Sequence, residues 1–253
     1  MVNIVMRKFL RLHKSTPMCM INGELGLKEI SEYIENRMMN FWFQVETGEE
    51  SKISTILYKW IKILHNKNIY NSPWIGKVET TLDHMGMSSL FDVITNTKKS
   101  WFKNNTKVRL NNIYAHIWSE SVFNNSVCLN YRAMTVVKKT QTYILKLPKK
   151  YVYILCKFKC SNHHLPIVEG RYTGIPVHER ICTLCTTNDI GDEFHYLFNC
   201  TFFHAQRVIY IMRYYYTHPS TQKMMQLFES PDYEEMVKLA KFADIIMRQF
   251  RSR

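Results

Sequence analysis

No apolar stretch in this chain approaches the length of a membrane span, and Arg7, Lys8 and Arg11 interrupt the first residues where a secretory leader needs an apolar run. Glycine and proline are scarce, 8 and 7 among 253 residues, so obligatory turns are few. The seven cysteines are odd in number and unevenly spaced, which argues against a disulfide scaffold. The expectation is a reduced, intracellular protein of nucleus or cytoplasm. There is no internal repeat, no low-complexity tract and no Asp-Asp pair anywhere.

Apolar residues make up 46% of the chain, enough for a packed core without staples. Leu, Ile, Met, Lys and aromatics recur at helical spacing, so the reading is mainly α: a helical domain, then a small Cys3His zinc knuckle with flanking helices. Residues 29–46 read as a helix with Ile30, Ile34, Met38 and Phe41 on one face. Ser51 is placed to cap the next, which carries Ile53, Ile56, Leu57, Trp60, Ile61 and Leu64. Ser72-Pro73 looks like a cap and first-turn proline. A fourth helix covers about 98–123, with Trp101, Val108, Ile113, Ile117 and Trp118. All these stripes are assigned to core packing. Residues 151–159 read as a short helix or strand, 161–180 as loop, and 192–215 as one helix or two. The last helix, over 233–250, carries Met236, Leu239, Ala243, Ile246 and Phe250.

One constellation carries specific chemistry. Cys182 and Cys185 are two residues apart, His195 follows after nine more, and Cys200 after a further four. Two thiolates at that spacing grip a metal from one tight turn, and a histidine and third thiolate complete a tetrahedron. Cys3His is a standard structural zinc set with no open position. One zinc ion is expected, contributing on the order of 10 kcal/mol to folding. Cys156 and Cys160 precede His163 and His164, but their spacing fits no ordinary metal pattern; buried thiols and surface histidines are the expected account.

The run 161–167, Gly170-Arg171 and 179–200, including Gly191-Asp192-Glu193-Phe194-His195-Tyr196-Leu197, resembles the zinc-binding segment of non-LTR (LINE-type) retrotransposon reverse transcriptases. Lys14-Ser15-Thr16-Pro17 and Gly23-Glu24-Leu25-Gly26 resemble the region just after the polymerase core in the same family. The resemblance is strongest over 155–215 and looser elsewhere. It implies a tail piece: 1–130 a post-polymerase helical region, thumb-like or a connector, and 131–253 the zinc-binding region with C-terminal helices. It further implies a segment that holds RNA or single-stranded DNA, with a polymerase core in cis in the parent reading frame. The family's paired catalytic aspartates are missing. Phe242-Ala243-Asp244-Ile245 has isoleucine where the second belongs, so no polymerisation is expected from this chain alone.

The chain carries 34 Lys and Arg against 21 Asp and Glu, a net +13, which favours polyanionic partners. Residues 138–180 hold nine of these bases and only Glu169 and Glu179 in return, a net +7. Lys157, Lys159, Arg171 and Arg180 lie nearest the zinc segment and are the expected phosphate contacts. The interleaved Tyr143, Tyr151, Tyr153, Phe158 and Tyr172 are either stacking platforms or core, with core favoured. Two other readings stand beside the nucleic-acid-binding one. A remnant could use zinc for fold alone and serve as a structural or protein-interaction module. A restriction-like nuclease could use Asp232 with Glu235 and Lys238, but such sites need carboxylates on adjacent strands, and Pro231-Asp232 fits a helix start better.

Overall fold

The structure is a computed structural model and describes residues 2–94 and 97–250. The longer helices are α1 Val2–Leu10, α2 Met18–Leu25, α3 Ile30–Glu46, α4 Ile53–Asn66, α5 Pro73–His84, α6 Lys99–Phe123, α7 Lys149–Lys159, α8 Pro166–Tyr172, α9 His204–Tyr210, α10 Thr221–Phe228 and α11 Tyr233–Gln249. Among the described residues, β-pairing is limited to isolated bridges, Leu25 with Thr140 and Ile181 with Ile190. No described helix is long and apolar enough to cross a membrane.

Several boundaries follow directly from local chemistry. Ser72 Oγ accepts the Ile75 N–H at 3.4 Å, and Pro73 occupies the first turn of α5. Asp232 Oδ1 accepts the Glu235 N–H at 2.7 Å and opens α11. This carboxylate caps a helix, and no strand carries it among the described residues. Ser51, by contrast, caps nothing: Lys52 stands at the start of α4 without a side-chain cap. The stretch 161–180, expected as loop, contains α8. Pro166 stands in the first turn, where its missing N–H has no partner to lose, so an apparent breaker is a helix start.

The chain separates into two compact units, Met1–Leu27 with Trp118–Arg253, and Lys28–Ile117. A single cut at 130 does not describe it. The reason is a buried polar clasp that binds the N-terminal segment to the later one. Glu24 on α2 pairs with Lys159 on α7 at 2.8 Å, and its carboxylate also accepts from Tyr143 and from Thr135. Around this clasp α7 packs on α1 and α11, and α9 packs on α11. Leu155, Phe158, Leu239, Phe242 and Ile246 form the floor of that core.

The second unit has its own core of Met39, Trp42, Phe43, Ile75, Val78, Leu82, Phe102 and Leu110. Here the expected faces are corrected. Ile30, Ile34 and Phe41 of α3, and Trp101, Val108 and Ile117 of α6, are exposed. The buried stripe of α6 in this unit runs through Phe102, Thr106, Leu110 and Tyr114, at helical i,i+4 spacing but rotated from the one expected.

Candidate metal centre

Two short structures bring the four candidate ligands together. The first is a ribbon in which Cys182 N–H donates to Asp189 O and Gly191 N–H to Arg180 O, both at 2.8 Å. Cys182 and Cys185 sit on its outer loop, and the Leu184 N–H points at Cys182 Sγ from 3.4 Å. The second is a π-turn, His195–Asn199, closed by Cys200 N–H to His195 O at 2.8 Å. The wide turn is what an i to i+5 bond produces, and such turns cluster at functional sites. Asp192 Oδ1 accepts the His195 N–H at 2.8 Å and fixes its start. Gly191 is required where the two meet: a Cβ there would stand 2.8 Å from the Tyr196 hydroxyl and 2.9 Å from Pro166.

The ligand atoms of Cys182, Cys185, His195 and Cys200 all lie within 4.8 Å of one another. Cys182 and Cys200 sulfurs are 3.9 Å apart, and Cys185 Sγ is 3.4 Å from His195 Nε2. Tetrahedral zinc bonds imply S···S of roughly 3.8 Å and S···N of roughly 3.5 Å. The donor set therefore fits one tetrahedral ion, and no ligand is tied up in a disulfide. Burial lowers the proton affinity of His195, which leaves the neutral imidazole a ligand needs. Burial also pushes the Cys200 thiol up to about 12, so a cation is the natural agent to hold it as thiolate. His195 Nδ1 lies 3.4 Å from an Asp189 carboxylate oxygen, an ion-pair distance without hydrogen-bond geometry. A carboxylate on that side favours the tautomer with its proton on Nδ1, which leaves Nε2 for a metal.

Sequence spacing missed three supporting groups. Arg207 on α9 is buried, and its guanidinium donates to Leu197 O at 2.7 Å, Cys200 O at 2.8 Å and Tyr196 O at 3.3 Å. It satisfies carbonyls of the π-turn, and its charge would offset the net negative charge of a dication held by three thiolates. Glu193 and His163 form the other support, 2.9 Å apart with both side chains buried. Asn130 and Ser161 also donate to Glu193. No local motif marks Arg207; Asn130 and His163 are distant in sequence from the Glu193 they hold.

His163 is thus buried and paired, not the surface histidine expected; His164 is exposed. Cys156 and Cys160 gather no metal set with them, and no second cluster forms among the described residues. Burial pushes the Cys156 thiol up to about 12, as for an inert core thiol.

The four expected phosphate contacts divide. Lys159 is fully buried in the clasp with Glu24, so it cannot reach a phosphate. The periodicity that places Phe158 inside does not show that the next residue is inside too. Arg180 is half-buried, donating to Ile175 O at 2.8 Å and Ile167 O at 2.9 Å. Its stem lies over Gly170, where a Cβ would come within 2.5 Å of it, so it ties α8 to the ribbon. Arg171 and Lys157 are partly exposed. Arg171 stands over the Tyr172 ring at 5.5 Å, and Tyr172 is 64% exposed. Beside them a cavity of about 510 Å³ is lined by His13, Ser15, Asn162, His164, Arg171 and Tyr172 among others. Of the aromatics, Tyr143 and Phe158 are core.

Compared with family models, with curated proteins and with solved structures, the chain matches none.

Proposed function

We propose that the Cys3His cluster holds one structural zinc ion, and that this zinc stiffens a surface for single-stranded nucleic acid. In this reading the chain is a non-catalytic, C-terminal segment of the LINE-type reverse transcriptase kind, and its partner is RNA or single-stranded DNA. The observation that carries the reading is the partly exposed Arg171 stacked on the exposed Tyr172 of α8, held against the zinc ribbon by Arg180. A guanidinium beside an open aromatic face suits a phosphate and an unpaired base at once. The neighbouring cavity adds His13 and His164 as further donors. The metal acts on fold only, because all four positions are filled by protein. The test is anisotropy titration of fluorescent single-stranded RNA and DNA across salt, with metal-loaded and chelator-treated protein. Loaded protein should bind, with affinity falling steeply as salt rises, and treated protein should bind less. A loaded chain showing no salt-sensitive binding defeats the nucleic-acid reading while leaving the zinc assignment intact.

A further inference from the structure

Helix α4 is folded inside out. Its polar side faces its own unit. Tyr58 accepts from Trp42 Nε1 at 2.9 Å and donates to Glu46. Lys62 reaches Glu46 at 3.0 Å and Phe91 O at 2.6 Å. His65 lies 3.2 Å from the Glu79 carboxylate and accepts the Ser72 N–H at 3.1 Å. Its apolar side faces outward: Ile53, Ile56, Leu57, Trp60 and Ile63 are between 50% and 74% exposed. At helical spacing these residues make one continuous stripe. A stripe of that size leaves a large apolar area in water, the mark of an interface and not of scattered surface residues.

We propose that this stripe is a homodimer contact, with α4 of two copies packed antiparallel about a two-fold axis. Two features of the helix favour a second copy over other covers. The first is area: burying these side chains removes roughly 600 Å² per copy, close to the roughly 800 Å² per partner of an ordinary specific interface. The second is charge. Exposed Glu50 precedes the helix, beside a Glu49–Lys52 pair 3.6 Å apart, and exposed Lys67 follows it. An antiparallel pair centred between residues 58 and 59 sets Leu57 against Trp60, Ile53 against Leu64, and Glu50 against Lys67. The Leu57–Trp60, Ile53–Leu64 and Glu50–Lys67 contacts then each occur twice about the axis, as an isologous contact requires. Glu50 meets Lys59 of its own chain at 2.7 Å, but its side chain is 86% exposed and open to a second cation. The proposal is independent of the zinc site and of nucleic-acid binding.

Sedimentation equilibrium of the full metal-loaded chain tests it. The expected result is a monomer–dimer equilibrium. Trp60→Glu should weaken association by at least about 30-fold, as for an aromatic hot spot, with helicity and metal content unchanged. Ile53→Glu takes its place if that variant loses helicity. Glu50→Lys and Lys67→Glu should each weaken the dimer, and together restore it. A chain that stays monomeric up to roughly 100 µM overturns the proposal and assigns the stripe to a different protein. So does a dimer indifferent to both glutamate substitutions, or a charge pair that does not recover in combination.

Discussion

Lys159 and Glu24 meet 2.8 Å apart with neither side chain reaching solvent, and they join segments of the chain 135 positions apart. The ammonium also lies 5.4 Å from the Tyr143 ring centre and 5.8 Å from that of Phe228, and it reaches Gln141 Oε1 at 3.3 Å. Burying two charges is costly, so the pair is worth little against an apolar isostere, but each half is stranded without the other. Lys159→Met should therefore cost roughly 3–5 kcal/mol in urea unfolding, because it leaves a buried carboxylate. Adding Glu24→Gln should recover most of the loss, since the amide oxygen can accept from one of the Tyr143 and Thr135 hydroxyls while its NH2 donates to the other. Single and double variants of equal stability would show that the clasp does not hold the N-terminal segment.

A second prediction concerns Arg207, which has three backbone acceptors around the π-turn. Arg207→Met keeps the length of the stem and removes all three donors together with the buried charge. Metal release to a chromophoric chelator should speed up about tenfold or more, in the range typical of supporting-shell losses. Metal stoichiometry, by elemental analysis, should remain one per chain. Cys185→Ser should abolish it. Two metals per parent chain, or unchanged release from the Arg207 variant, would contradict this account.

The Cys3His cluster was legible because it is encoded in local spacing: its four residues fall within 19 positions of each other. Helix caps at Ser72 and Asp232 were legible for the same reason. What sequence pattern could not supply was direction. The apolar stripe of α4 is plain in its periodicity, but periodicity does not say which side faces the protein. Tyr58, Lys62 and His65 find partners on α3, α5 and the Ser89–Asp92 turn, contacts set by tertiary structure alone. Lys159 was misjudged likewise, because the acid that neutralises it lies far away, on α2.

Cysteine reactivity gives a third prediction. Cys19 and Cys128 sulfurs are 3.7 Å apart and share one hydrogen bond, which lowers the proton affinity of the half-buried Cys19 thiol where Cys128 is the donor. Burial raises the Cys160 thiol well above its ordinary value, and Cys156 to about 12. Because the thiolate is the reactive form, Cys19 should be alkylated by iodoacetamide ahead of Cys128, Cys156 and Cys160 in the folded, metal-loaded chain. Its rate against pH should have its midpoint below the roughly 8.5 of an ordinary thiol. Peptide mass mapping across pH reads this out. A midpoint near that of a free thiol would mean that Cys128 does not donate to Cys19.

The last prediction separates two arginines that sequence alone treats alike. Arg171 presents its guanidinium beside the exposed Tyr172 ring, whereas Arg180 donates to the carbonyls of Ile167 and Ile175. If α8 binds single-stranded nucleic acid, Arg171→Ala removes a phosphate contact and should reduce the slope of log affinity against log salt by roughly 1. Tyr172→Ala should instead weaken binding about equally at every salt concentration, by roughly 1–3 kcal/mol for one lost stacking contact. Arg180→Ala leaves the carbonyls of Ile167 and Ile175 without their donor and frees α8 from the ribbon. It should lower thermal stability, and any loss of binding should track that instability and not the salt slope. The opposite pattern, with the slope changed by Arg180→Ala and untouched by Arg171→Ala, would place the phosphate path on the far side of α8.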